Sequence, residues 1–347
     1  MQSPTILVTG GVGYIGSHTV VALIQAGYAV VIVDDLSNSQ PEVLTGIEQV
    51  TGVRPELLSF DLCDALALRA FFQQHSDIKA VIHFAASKAV GESVENPLKY
   101  YRNNLYSLIN LLLQMKEHAI HHLIFSSSCT VYGQPDQLPV TETTPVQPAE
   151  SPYGNTKQIA EEIIRDTVEA EEALQAISLR YFNPVGAHAS GLLGELPTGT
   201  PANLVPFITQ TAAGVREKLR VFGNDYNTAD GSCVRDYIHV VDLAEAHLAA
   251  LRRLLDGKNE DRYECFNVGT GQGHSVLEVI GAFERVNAVK LNYEIAPRRP
   301  GDIEQIYADT TLANQALGWR ARRSLEDMMR SAWQWQQNLM RENFYLH

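Results

Sequence analysis

Five short runs of this chain are largely apolar, with no polar alternation, and helical patterns separate them. The runs are 5–9, 29–33, 80–84, 123–126 and 176–180; the helical stretches are 15–26, 66–74, 97–117 and 153–173. A strand with one solvated face alternates apolar and polar residues, so a strand without alternation is covered on both faces. Covering a sheet on both faces with the helices that connect its strands makes the strands parallel and the crossovers right-handed. The pattern predicts a doubly wound α/β layer over residues 1–182.

Beyond residue 182 glycine and proline become dense, from Pro184 and Gly186 to Pro201 and Pro206. A smaller mixed α/β domain is expected over 183–347, and the chain length of 347 suits two such units. Within it, a strand-like run at 237–241 leads into a helical pattern at 242–255, with Asp242 as the expected N-cap. Another strand-like run covers 265–268. These elements are expected to return to the first sheet.

Charge excludes one broad class of partner. The chain has 27 lysines and arginines against 40 acids, a net charge of −13, whereas nucleic-acid binders are basic or carry a basic stripe. The basic runs Arg252-Arg253 and Arg320 with Arg322 and Arg323 read as solvated surface. No apolar stretch reaches the roughly 18 residues of a membrane span, and the N-terminus has no basic signal-peptide region. Cys63, Cys129, Cys233 and Cys265 form no Cys-x-x-Cys pair, so neither a metal site nor a disulfide framework is expected, and the cytoplasm is the default compartment.

The sharpest motif follows the first strand: Thr9-Gly10-Gly11-Val12-Gly13-Tyr14-Ile15-Gly16. Between a strand and a helix, Gly10, Gly13 and Gly16 allow a tight turn, let amides approach a pyrophosphate, and let helix and strand pack closely. The helix N-terminus then faces the phosphate charge. The second strand ends in Asp34, placed to accept hydrogen bonds from ribose hydroxyls. Asp35 follows, with no arginine or lysine from Leu36 to Ser39, which selects NAD over NADP. This is the Rossmann arrangement.

Tyr153 and Lys157 stand four residues apart after Ser151-Pro152, on one face of an expected helix. A phenol ionises near ~10, and neighbouring cations lower that value. Lys157 with an oxidised nicotinamide would make a phenolate able to take a hydroxyl proton. Ser126-Ser127-Ser128 closes the strand at 123–126, at the edge where parallel sheets bind ligands, and Ser128 is placed to hydrogen-bond the reacting oxygen.

Longer stretches now carry a resemblance. They include 8–18, His83-Phe84-Ala85-Ala86 with 88–93, 126–133, Arg180-Tyr181-Phe182-Asn183-Pro184, 222–226, 234–240 and 296–302. On these the chain resembles the extended short-chain dehydrogenase/reductases and, among them, the UDP-glucose 4-epimerase family. The resemblance implies a reaction on UDP-glucose and UDP-galactose: Tyr153 takes the 4-hydroxyl proton, NAD takes and returns the C4 hydride, and the 4-keto sugar turns over in between. Ser128 and Lys157 complete the catalytic set. It adds Tyr14, Ile15, Asn38, Asp61, Leu62, Phe84, Ala85, Lys88, Asn103 and Phe182 to the NAD site.

On the substrate side it implies Asn183 and Asn203 at the phosphates or sugar, Leu204, Val221 and Phe222 around the uracil, and Asp302 at the uridine ribose. Arg235 and Arg299, each beside an acid, suit the pyrophosphate. Ile306 stands at the position that gates N-acetylated sugars and is neither small nor aromatic; a preference for UDP-glucose and UDP-galactose is expected, with N-acetylated UDP-hexosamines as the alternative. A 4,6-dehydratase is a second alternative, and it needs an acid and a base where this chain has Cys129 and Thr130. A non-catalytic NAD-binding regulator would dispense with Tyr153 or Lys157. The wide apolar band of 97–117, with 153–173, fits the family's dimer interface, so a homodimer is expected.

Overall fold

The computed structural model describes residues 3–299 and 302–341. Pro300 and Gly301 of the arginine-bearing loop, and Met1 and Gln2 of the N-terminal reading, lie outside the described residues. Seven parallel strands, numbered along the chain, form the main sheet: β1 (Thr5–Thr9), β2 (Ala29–Asp34), β3 (Glu56–Ser59), β4 (Ile78–His83), β5 (His122–Ser128), β6 (Gln175–Tyr181) and β10 (Tyr263–Val268). Their order is β10-β6-β5-β4-β1-β2-β3. The chain reverses direction across the sheet between β1 and β4, and the crevice at their C-terminal ends is where such sheets bind ligands.

Pleating explains why the central strands carry apolar residues on both faces. Ile6, Val8, Ile32, Ile82 and Ile124 pack under α1 (Tyr14–Gln25), α2 (Val43–Thr51), α9 (Val240–Leu255) and α11 (Thr311–Ala316). Leu7, Val31, Val81, Leu123 and Phe125 face α3 (Ala65–Gln74), α6 (Ser107–Glu117) and α7 (Pro152–Ala170). Between β4 and α6 lie α4 (Val90–Glu95) and α5 (Pro97–Tyr101).

A second core gathers Val205, Ile208, Val221, Phe283 and Met329. Around it stand α8 (Leu204–Ala212), α10 (Val276–Asn287) and α12 (Leu325–Arg341), with β8 (Leu219–Phe222) paired to β12 (Tyr293–Ala296). A small sheet joins β7 (Asn183–Val185), β9 (Val234–His239), β11 (Gly273–Ser275) and β13 (Gln305–Ile306).

Three expectations are corrected. Of the elements expected to return to the first sheet, β10 and α9 do, but β9 belongs to the small sheet. The helix after it starts at Val240, because His239 Nδ1 accepts the Val241 amide at 3.1 Å. Asp242 is therefore not the cap; it is buried in the first turn and ion-paired to Arg323. The 97–117 segment is not one regular helix: a π-turn at Arg102–Tyr106 interrupts it.

Candidate active site

The glycine loop is shaped by close approach. Gly10 has φ +70°, and a Cβ there would stand 2.8 Å from the Ala85 amide nitrogen. A Cβ on Gly16 would stand 2.1 Å from the Gly10 carbonyl oxygen, a distance no side chain tolerates. The first-turn amides of α1 have no intrahelical partner, and no acidic residue competes there for an anion. Gly13 is the N-cap, Ile15 packs on the core, and the Tyr14 hydroxyl donates to the Gly186 carbonyl at 2.6 Å.

Asp34 is nearly buried at the tip of β2. It accepts the Val12 amide (3.2 Å), the Leu36 amide (3.0 Å) and the Ser39 hydroxyl (2.8 Å). Burial raises its pKa, and these hydrogen bonds oppose the rise. The carboxylate thus ties the glycine loop to the turn after β2. Close-approach glycines, free helix amides and a fixed carboxylate suit a dinucleotide.

The other residues expected at the dinucleotide spread around this crevice. Phe84 and Ala85 follow β4, their amides reaching the Thr9 carbonyl (3.0 Å) and hydroxyl (3.4 Å). Phe182 is buried, and its amide bonds the Val268 carbonyl at 3.2 Å. Asp61 turns back on its own loop, accepting the Cys63 amide at 2.8 Å, and the Leu62 carbonyl accepts Asn110 Nδ2 at 3.0 Å. Asn38 Oδ1 accepts the Thr198 hydroxyl at 3.0 Å, and Asn103 Nδ2 donates to Ser87 Oγ at 3.1 Å.

Ser151 caps α7 by accepting the Gly154 amide at 3.1 Å, with Pro152 in the first turn. This fixes Tyr153 at the helix start and Lys157 one turn on, beside the end of β5. Both are buried, 7% and 5% exposed. Lys157 Nζ donates to the Ser126 carbonyl at 2.7 Å and lies 6.0 Å from the centre of the Tyr153 ring. Ser128 Oγ accepts the Thr130 amide at 3.2 Å and acts to lower the pKa of the Tyr153 phenol.

Burial lowers the Lys157 pKa to about 8, with the Glu161 charge opposing. Burial, with Tyr181 adding to it, also pushes the Tyr153 phenol well above its ordinary value, against the Ser128 hydrogen bond. In the protein alone desolvation thus outweighs the influences that lower the phenol, whereas the phenolate expected from the sequence concerns Lys157 together with an oxidised nicotinamide. Beside them His83 is held neutral, lowered to about 3 by burial and by Lys157.

On the opposite side, Arg299 forms a forked pair with Asp302 (3.0 and 3.1 Å), its guanidinium 4.7 Å from the Phe222 ring centre. Arg235 lies on β9 and donates to the Val234 carbonyl at 2.9 Å. Its neighbour Asp236 does not pair with it. Asp236 is fully buried and accepts the amides of Thr270, Gly271 and Ala308, fixing β9 to the loop after β10 and to the end of β13. Asn183 lies on β7 against Tyr237 of β9, and Leu204 opens α8 after Asn203. The Val221 side chain is buried in the second core, and Phe222 beside it is partly open.

Two residues escaped the sequence reading. Glu195 gathers Lys88 Nζ (3.4 Å) and Asn203 Nδ2 (2.6 Å), linking a cofactor-side lysine to a substrate-side asparagine. Buried Asn104, turned by the π-turn, accepts the Ser87 amide (2.8 Å) and donates to Thr156 Oγ1 (3.0 Å), whose hydroxyl donates to the Tyr153 carbonyl (2.7 Å). Its one sequence signal is a polar residue within an apolar helical pattern.

Comparison with known proteins places this geometry. Residues 7–332 match the family model described as GDP-mannose 4,6 dehydratase. The chain is 51% identical over 331 residues to a UDP-glucose 4-epimerase of Yersinia pestis, covering 95% of this chain and 97% of the relative. It is 49% identical over 337 residues to the human UDP-glucose 4-epimerase, covering 95% and 96%. A crystal structure of UDP-glucose 4-epimerase from Bifidobacterium longum, in complex with NAD+ and UDP, superposes with a TM-score of 0.92 at 48% identity, covering 96% of this chain and 98% of that one.

Proposed function

The chain belongs to the UDP-glucose 4-epimerase family, within the wider group that the GDP-mannose 4,6 dehydratase model describes, and from this premise we propose that it interconverts UDP-glucose and UDP-galactose through Tyr153, Lys157 and Ser128. The observation that carries the proposal is their meeting at the end of β5, beside the glycine loop, with no acid or base at the next two positions. Cys129 there is buried, its thiol pushed up to about 12 by burial, and Thr130 has only a hydroxyl. Neither drives the loss of water that a 4,6-dehydratase needs.

Gly10, Gly13, Gly16 and Asp34 would hold NAD, with Phe84, Ala85 and Lys88 along it. Bound NAD supplies a hydride acceptor for the sugar C4 and, when oxidised, a positive charge that favours the Tyr153 phenolate. Tyr153 takes the proton of the 4-hydroxyl and later returns it. Ser128 orients that oxygen. Lys157, fixed by the Ser126 carbonyl, keeps a positive charge on the phenol's side of the pocket. Arg235 and Arg299 grip the pyrophosphate, so the sugar ring turns while its nucleotide stays fixed. Buried Ile306 packs with Cys129 and Phe182, and a preference for sugars without an N-acetyl group is part of the proposal; comparable turnover of an N-acetylated UDP-hexosamine would contradict it. Purified protein given UDP-galactose and no added nicotinamide nucleotide is expected to yield UDP-glucose. A 4-keto-6-deoxy sugar as product would overturn the reading.

The two-lobe division at residue 182 accompanies this reading, with the dinucleotide lobe taking back α9 and β10. A homodimer is part of it as well. Leu98, Tyr106 and Leu113 are 78%, 57% and 58% exposed along the 97–117 segment, an apolar row that a second copy would cover. Light scattering at micromolar concentration should give twice the 38.4 kDa chain mass, and Leu113→Glu should shift it toward monomer. A monomer mass for the unaltered protein would contradict the dimer. No helix among the described residues is long and apolar enough to cross a membrane. The free cysteines Cys63, Cys129, Cys233 and Cys265 support a reducing compartment, the cytoplasm.

A further inference from the structure

The two basic runs that read as solvated surface, Arg252-Arg253 and Arg320 to Arg323, are far apart in the chain, yet both contribute to one cavity of about 350 Å³. That size falls within the range of small-molecule pockets, about 300–1,000 Å³. One wall is the outer face of α9; the other is the segment from Ala316 to Arg322 that leads into α12. α9 ends ahead of β10, where Arg253 pairs with Glu264 at 2.7 Å. That is the N-terminal edge of the sheet, opposite the edge that carries Ser128, Tyr153 and Lys157.

The walls are fixed by buried bonds. Asp242 accepts the main-chain amides of Arg322 (3.2 Å) and Arg323 (3.0 Å) and pairs with the Arg323 side chain. Trp319 Nε1 donates to the Asp242 carbonyl at 3.0 Å, and Arg253 donates to the Ala316 carbonyl at 2.9 Å. The cavity is built rather than a gap between mobile side chains.

Its charge is the reverse of the molecule's. Five cations and two carboxylates line it, in a chain with a net charge of −13. Arg253 is matched by Glu264, and Lys258 by Asp256. Among the described residues, Arg252, Arg320 and Arg322 have no ion-pair partner. Three like charges around one concavity repel one another until an anion enters. Guanidinium forks match phosphoryl oxygens in pairs, and Leu248 and Leu317 add an apolar margin.

We propose that this cavity is a second anion site, specific for a diphosphate group held by Arg252, Arg320 and Arg322. The test is calorimetric titration of inorganic pyrophosphate into the protein saturated with UDP, at constant ionic strength. UDP is there to occupy Arg235 and Arg299, and its own binding is measured first, so a failure at the substrate site is seen separately. The expected result is one saturable pyrophosphate site, weakened at least about tenfold in R320A/R322A. UDP-galactose turnover by that variant should be unchanged, since both side chains are exposed. No saturable binding by the unaltered protein, equal binding by the variant, or equal affinity for sulfate would overturn the proposal.

Discussion

Tyr153→Phe is expected to keep its fold and its dinucleotide while losing about 10²–10⁴-fold in turnover, the usual scale for a general acid–base group. The phenyl ring fills the same buried space at the start of α7, so packing is preserved. What disappears is the oxygen proposed to take the 4-hydroxyl proton. The loss should fall on kcat rather than KM, because Arg235 and Arg299 still hold the nucleotide end of the substrate. Near-normal turnover in a well-folded variant would refute the role given to Tyr153.

Glu161→Gln is expected to be the most destabilising single exchange near the site. Glu161 and Arg180 are 4% and 6% exposed and lie 2.6 Å apart, with the Ser127 hydroxyl donating to the same carboxylate at 2.5 Å. Removing the Glu161 charge leaves Arg180 buried without its ion-pair partner, keeping only neutral acceptors such as the Tyr132 hydroxyl at 3.0 Å, which costs about 3–5 kcal/mol. The urea midpoint should fall accordingly. A second readout separates this from simple loosening. The Lys157 pKa sits near about 8 because burial lowers it and the Glu161 charge holds it up. Without that charge it falls further, so Lys157 loses its proton at lower pH and the alkaline limb of activity moves down. An unchanged midpoint, or an alkaline limb that moves up, would contradict this.

Residues whose placement is set within a few neighbours were legible in the sequence. The glycine loop, Asp34 at a strand end, and Tyr153 with Lys157 one helical turn on are local patterns, and the apolar strands mark a two-faced sheet. What stayed hidden depends on partners far along the chain. Asp242 looks like a helix cap, but its partner is Arg323, which the sequence does not place beside it. β9 reads like any strand, and its neighbours β7, β11 and β13 are two or three residues long, too short to announce a second sheet. The π-turn at Arg102–Tyr106 falls on the polar run Arg102-Asn103-Asn104, which in sequence reads like the polar face of a regular helix. The two arginine runs read as solvated, and Arg252, Arg320 and Arg322 are exposed; what each run read alone could not show is that the fold brings both to the rim of one cavity.

The central claim is that the C4 hydrogen leaves and returns within one closed site while Tyr153 handles the proton. The most direct measurement uses UDP-galactose carrying deuterium at C4, in ordinary water, with no added nicotinamide nucleotide. The account requires UDP-glucose with the deuterium still on C4. UDP-glucose that has exchanged that position with solvent hydrogen would contradict it.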